Sequence, residues 1–310
     1  MKYSETRVYK VAKQAYKLSK RVVPAYSSKY SKKTYTQHQH IAVACVKIKM
    51  RQKYLETEEM LVNMPYLCEL LELTQVPDYT TMCKAFLRLK ACILLLLLYL
   101  SVGLLGFSGK ASIDSTGFDR HHTSKHYVKR CKMRLQSMKT TFLVDTETLT
   151  ILDVHATVTR KHDTKILPPL LRRAMKRFQV GVLCADKGYD DQKIRDWLRS
   201  EGVRPLIKHR EFKPIDKAHN ARMKKQDRGQ RAMSETANST IKRKYTDTLT
   251  TRDYPNQKKE ILLTATVNNI ERCIETMHLT YVRISIELHN CIKACQPEQF
   301  HITSQILRSP

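Results

Sequence analysis

Between residues 111 and 208 the polypeptide reads as strand, strand, strand, helix, strand, helix, strand, and this succession constrains the fold more than any other feature. Strand patterns cover 111–118, 138–146 and 149–158, and the turn residues Asp145-Thr146-Glu147-Thr148 predict a hairpin between the last two. Helical spacing follows from Thr164 to Phe178, then a strand over 180–185, a helix over 190–201 and a strand over 203–208. The class expected is α/β, a mixed sheet flanked by helices, within the one or two domains that 310 residues support.

Ahead of this block the pattern is all-helical. Val8, Val11, Ala12, Ala15 and Leu18 keep helical spacing, and Ile41 to Leu73 is helical with Pro65 dividing it in two. Asp78, after Pro77, is placed to cap a helix through Thr81, Cys83, Phe86 and Leu87, so residues 79–90 resemble the reading element of a helix-turn-helix. Ala91 to Phe107 is 17 residues without a charge. A spanning helix wants roughly 20 apolar residues, and Ser101, Gly103 and Gly106 weaken the run, so it is read as a buried connecting helix and not as a membrane anchor.

Charge narrows the partners. With 56 Lys+Arg against 29 Asp+Glu the formal charge is +27, a field that attracts polyanions and points to nucleic acid. Residues 1–53 hold fourteen Lys/Arg against Glu5 alone, interleaved with six tyrosines, the composition of a phosphate-tracking arm or of a solvated terminus. Basic stretches recur at 119–139, with His121, His122 and His126, and at 208–231, and both are read as loops. Nine cysteines without a Cys-x-x-Cys and no signal peptide point to a reducing, cytoplasmic setting close to the nucleoid. His289, Cys291, Cys295 and His301 match no standard zinc-finger spacing.

Against this basic background three acids stand out. Asp114 interrupts the strand Ala111–Phe118, Asp186 ends the strand Val180–Ala185, and Glu235 lies in a helical stretch running through Lys242. An acid at the carboxyl end of a strand lies where α/β sheets bind ligands. At 100° per residue Arg231, Glu235, Asn238 and Lys242 fall within about 60° of each other on one helical face, a set suited to a phosphate backbone beside a metal. Carboxylates about 4 Å apart repel by about 4 kcal/mol per pair at an effective dielectric of about 20, so a cluster needs protons or cations. Mg²⁺ or Mn²⁺ suits such oxygen ligands, and a pair of ions can clamp the attacking and leaving oxygens of a phosphoryl transfer.

Three motifs carry a family resemblance: Ile113-Asp114-Ser115-Thr116-Gly117-Phe118, then Ala185-Asp186-Lys187-Gly188-Tyr189-Asp190, then Arg231-x-x-x-Glu235-x-x-x-x-x-x-Lys242. In this order and register the chain resembles the DDE transposases of prokaryotic insertion sequences over roughly residues 40–280. The last motif is similar to that family's Y-x-x-R-x-x-x-E-x-x-x-x-x-x-K signature, with Arg228 in place of the tyrosine. The resemblance implies a ribonuclease-H-like core. It also implies Asp114, Asp186 and Glu235 as catalytic metal ligands for Mg²⁺ or Mn²⁺, with two ions. Arg231 and Lys242, with Arg228, Asn238 and Lys187 beside them, are then expected DNA contacts. The expected organisation is a basic helical DNA-binding region at 1–108, a catalytic domain at 109–284 and a tail at 285–310. The expected activity is cleavage of double-stranded DNA at the terminal inverted repeats and strand transfer into target DNA, by a homodimer. A catalytically inactive DNA-binding relic and a metal-dependent nuclease that cuts without joining remain open beside it.

Overall fold

A computed structural model describes residues 6–120, 130, 137–159, 161–227 and 229–294. Six helices come first: α1 (Arg7–Ser19), α2 (Gln37–Met50), α3 (Tyr54–Asn63), α4 (Pro65–Leu70), α5 (Tyr79–Arg88) and α6 (Ala91–Val102). Their starts follow from local chemistry. The Thr6 side chain accepts from the Tyr9 N–H, Thr36 and Gln39 form a capping box on α2, and Asp78 accepts from the Thr80 and Thr81 N–H groups. Pro65 opens α4, where its missing N–H costs nothing. The segment from Ile41 to Leu73 differs from the expected pair of helices. Arg51 adopts a left-handed φ of 55° and ends α2, so the segment holds three helices.

The uncharged run forms α6, which buries Leu94, Leu97, Leu98 and Val102. Tyr99 donates to the fully buried Asp153 carboxylate, which Arg173 grips with two guanidinium bonds of 2.8 and 2.7 Å. Among the described residues no single helix is long and apolar enough to cross a membrane; only α5 and α6 taken together reach that length, and they are bent by 89°.

The α/β part follows: β1 (Lys110–Arg120), β2 (Met138–Asp145), β3 (Ile151–Thr157), α7 (Asp163–Met175), β4 (Val182–Ala185), a 3₁₀ turn (Lys187–Tyr189), α8 (Gln192–Ser200), β5 (Arg204–Ile207), α9 (Pro214–Asp227), α10 (Ala232–Lys244), β6 (Thr248–Leu249) and α11 (Tyr254–Ala294). The sheet order is β3-β2-β1-β4-β5. β2 runs antiparallel to β1 and β3, while β4 and β5 are parallel to β1 and to each other. β6 pairs with the far end of β1. This mixed sheet flanked by helices is the α/β class expected. The stretch from 208 to 231 is not only loop, because α9 occupies most of it.

One side of the sheet holds the main core: Ala111, Ile113, Leu143, Leu152, Leu167, Leu171, Leu183 and Leu198 interdigitate there. Val102 of α6 joins this core, and α2 is tied to the end of α10. Buried Glu271 of α11 accepts from Tyr245, which follows α10, and pairs with Lys49 of α2. The Arg51 Nε donates to the Lys244 carbonyl at 2.6 Å, satisfying the open end of α10. Residues up to Cys273 form one compact unit; Ile274 to Ala294 of α11 is the described part of a second. The sequence boundary expected at 284/285 lies inside α11.

Candidate active site

β1 and β4 are paired in register through Lys110↔Val182, Ala111↔Leu183, Ser112↔Cys184 and Ile113↔Ala185, and the ladder stops there. The next residue on each strand is Asp114 and Asp186. The two acids therefore stand side by side at the point where parallel strands part, the carboxyl-end crevice where open α/β sheets take ligands. β1 continues along β2, while the chain after Asp186 turns through the 3₁₀ turn.

The third acid arrives on α10. Gly229, at φ +82°, turns the chain just before it. Ser112 then clips the start of the helix to β1: its Oγ lies 2.9 Å from the Ser234 Oγ and 3.2 Å from the Arg231 carbonyl oxygen. Ser112 and Asp114 share a face of β1 by the period-two rule, so the same clip brings α10 over Asp114. There Asn238, only 6 % exposed, donates through Nδ2 to the Asp114 carboxylate at 2.9 Å.

Arg231 joins the other two acids. Its Nη1 donates to Glu235 Oε1 at 2.8 Å and sits 3.5 Å from Asp186 Oδ1. The carboxylates of Asp186 and Glu235 are about half exposed, at 45 and 54 %. Asp114 is more enclosed. Burial raises its carboxyl above the ordinary carboxylate range, and the Glu235 and Asp186 charges push the same way against the opposing Ser115 N–H and Asn238 amide. All three acids named from sequence thus converge, with the Arg231 guanidinium between two of them.

Hard carboxylate oxygen is the donor type a divalent cation takes, although as placed here the three acids form no closed ligand set. Among the described residues no three His, Cys, Asp or Glu side chains lie close enough together to hold an ion. Arg231 supplies the positive charge between Asp186 and Glu235.

The remaining expected contacts fall in different places. Lys187 is exposed beside Asp186. Lys242 Nζ lies over the Phe118 ring, 5.6 Å from its centre, at the far end of the α10–β1 contact. Asn238 is committed to Asp114. Arg228, His121, His122, His126, Cys295 and His301 lie outside the described residues, as do the side chains of His289 and Cys291. Ser112 and Ser234 were missed by the sequence reading, although serine two residues before Asp114, on its face of the strand, was a readable signal.

No curated protein matches the chain. Among solved structures it is similar to a piggyBac transposase synaptic complex with hairpin DNA, at 9 % identity and a TM-score of 0.45, over 84 % of this chain and 71 % of that one. The model of the transposase DDE domain family matches residues 106–270, which span β1 to β6 and all three acids. The chain therefore belongs to the transposase DDE domain family, whose members are DNA-transposing enzymes.

Proposed function

We propose that this protein is an active transposase that binds the ends of its own element, cleaves DNA there and transfers the freed strand to a target. The observation that carries this reading is the convergence of Asp114, Asp186 and Glu235, drawn from two strands and a helix, at the open end of the sheet. Asp114, Asp186 and Glu235 would hold Mg²⁺ or Mn²⁺, most economically as two ions, which would activate the attacking hydroxyl and stabilise the leaving oxygen. Water attacks the phosphodiester at the element end and releases a 3′-hydroxyl, which then attacks target DNA. Asn238 holds the Asp114 carboxylate in one orientation. Lys187 is free on the surface to meet phosphate, and Arg231, Arg228 and Lys242 are the further contacts to the transposon end.

DNA reading is assigned to residues 1–108, and within them to α5. Thr80, Lys84, Leu87 and Arg88 are exposed at helical spacing, a face open to a groove. Joining two ends requires them to be held together, so a homodimer is the assembly proposed.

The test is Asp114→Ala. Mn²⁺-dependent cleavage of end-containing DNA should fall by more than about a thousandfold, while retention of that DNA in a gel-shift assay stays near wild type. Full cleavage by the variant would remove the carboxylate assignment. A wild type that retains DNA but never cuts it would mark a DNA-binding relic, and cutting without strand-transfer products would mark a nuclease.

A further inference from the structure

Beneath the two strand acids, on the opposite face of β1, lies a group of hydroxyls that the chemistry above does not use. Ser115 Oγ donates to Asp163 Oδ1 at 2.8 Å and lies 2.7 Å from Thr141 Oγ1 and 3.2 Å from the Tyr189 hydroxyl. A serine hydroxyl has one hydrogen and two lone pairs. With its hydrogen given to Asp163, Ser115 accepts from both Thr141 and Tyr189, and its capacity is full. Tyr189 is 2 % exposed, and Asp163 is held in turn by Lys139 Nζ at 2.8 Å.

We propose that Ser115 and Tyr189 are positioning residues, a hydroxyl bridge that sets the spacing of Asp114 and Asp186 after the β1–β4 ladder has ended. The inference rests on the carboxylate reading above and adds residues to it. Ile113↔Ala185 is the last ladder pair, so no backbone pairing between these strands fixes the two acids relative to each other. Ser115 immediately follows Asp114, and Tyr189 closes the 3₁₀ turn that Asp186 starts. Their contact is the next tie between the two segments beyond the ladder. A buried hydroxyl is costly unless bonded, and an apolar pair would fill the space without that cost. What the hydroxyls add is direction: a bonded pair holds its distance within a few tenths of an ångström, where apolar packing tolerates sliding. Thr141 on β2 and Asp163 at the start of α7 anchor the bridge on two further elements, so it moves with the sheet.

The experiment uses the full chain and two removals of a single polar group, Tyr189→Phe and Ser115→Ala, with Asp114→Asn as reference. Mn²⁺ binding is followed by electron paramagnetic resonance without DNA, nicking of supercoiled plasmid in Mn²⁺ gives kcat and KM separately, and thermal melting reports folding. Outer-shell partners of metal ligands cost about 10- to 100-fold when removed. Each bridge variant should therefore lose about tenfold or more in Mn²⁺ affinity and in kcat, with KM for plasmid and melting behaviour near wild type. The double variant should be no worse than the poorer single one. Wild-type Mn²⁺ affinity and kcat in a folded Tyr189→Phe, beside an inactive Asp114→Asn, overturn the bridge and leave the carboxylates standing. If Tyr189→Phe does not fold, Ser115→Ala decides by the same two readings. An Asp114→Asn that still binds Mn²⁺ and nicks like wild type overturns the carboxylate reading itself.

Discussion

On the α10 side of β1, Ser112 and Asp114 meet a helix that brings Arg231, Ser234, Glu235 and Asn238, all polar. On the α7 side of the same strand, Ala111 and Ile113 are sealed into the leucine-rich core, with Ser115 at its edge. Successive residues of one strand thus serve opposite ends. The α7 side gives the strand its place by burying apolar surface. The α10 side leaves a charged group in a half-enclosed crevice where desolvation works against it. Stability and chemistry are separated by the pleat, one residue apart.

Changing neighbours on β1 is the most direct way to break this comparison. Ile113→Ala removes a fully buried side chain and should cost about 3 kcal/mol in urea unfolding, with cleavage per folded molecule retained. A loss under about 1 kcal/mol would mean that the α7 side is not what holds the strand.

Next in size is a pH effect on the α7 side, at the edge strand. His155 is pushed down to about 4 by burial first and then by Arg173, Lys161, Lys258 and Lys139. Its unfolded value is about 6.5, so the native state binds fewer protons and this contribution is complete above about pH 6.5 and lost as pH falls toward 4. Discounted for partial exposure, it amounts to about 1–2 kcal/mol. His155→Gln should flatten the stability profile between pH 6.5 and 4 by that amount; an unchanged slope would sink the prediction.

On the α10 side the sign reverses. The raised Asp114 carboxyl means that ionisation costs stability, a cost that grows as pH rises through the folded pKa. Asp114→Asn should then be as stable as wild type or up to about 1 kcal/mol more so at pH 7, while cleavage is lost. A clear destabilisation would place Asp114 among the structural residues.

The smallest effect expected is at Arg231. Its carboxylate partners are half exposed, so its pairing is worth under about 1 kcal/mol. Arg231→Gln should tighten Mn²⁺ binding about threefold by removing a competing cation, read by the same resonance titration. Weaker binding would instead make Arg231 a support for the ligand set.

Much of this frame was legible beforehand. The strand at 111–118, the hairpin around Asp145–Thr148 and the cap at Asp78 appear where their patterns predicted, because alternation, turn residues and capping are local. The end of α2 at Arg51 was not, since a left-handed arginine carries no compositional mark. Nor was α9, whose basic residues resemble a solvated loop until Met223 is seen packed on Cys184 and Leu206. Asn238 illustrates the same gap at the site. Helical spacing put it on the face with Arg231 and Glu235, but only the docking of α10 turned its amide toward Asp114.

The order of residues alone determined the class of the fold and the basic character of the surface, and it singled out three acids to test, because periodicity, net charge and motif spacing are written along the chain. Which groups share a charge was decided only by the assembled structure. The pairing of β1 with β4 and the clip between Ser112 and α10 bring Asp114, Asp186 and Glu235, up to 121 residues apart in the chain, into one crevice. Distance through space, and the partial desolvation of Asp114, set the electrostatics that no one-dimensional pattern contains.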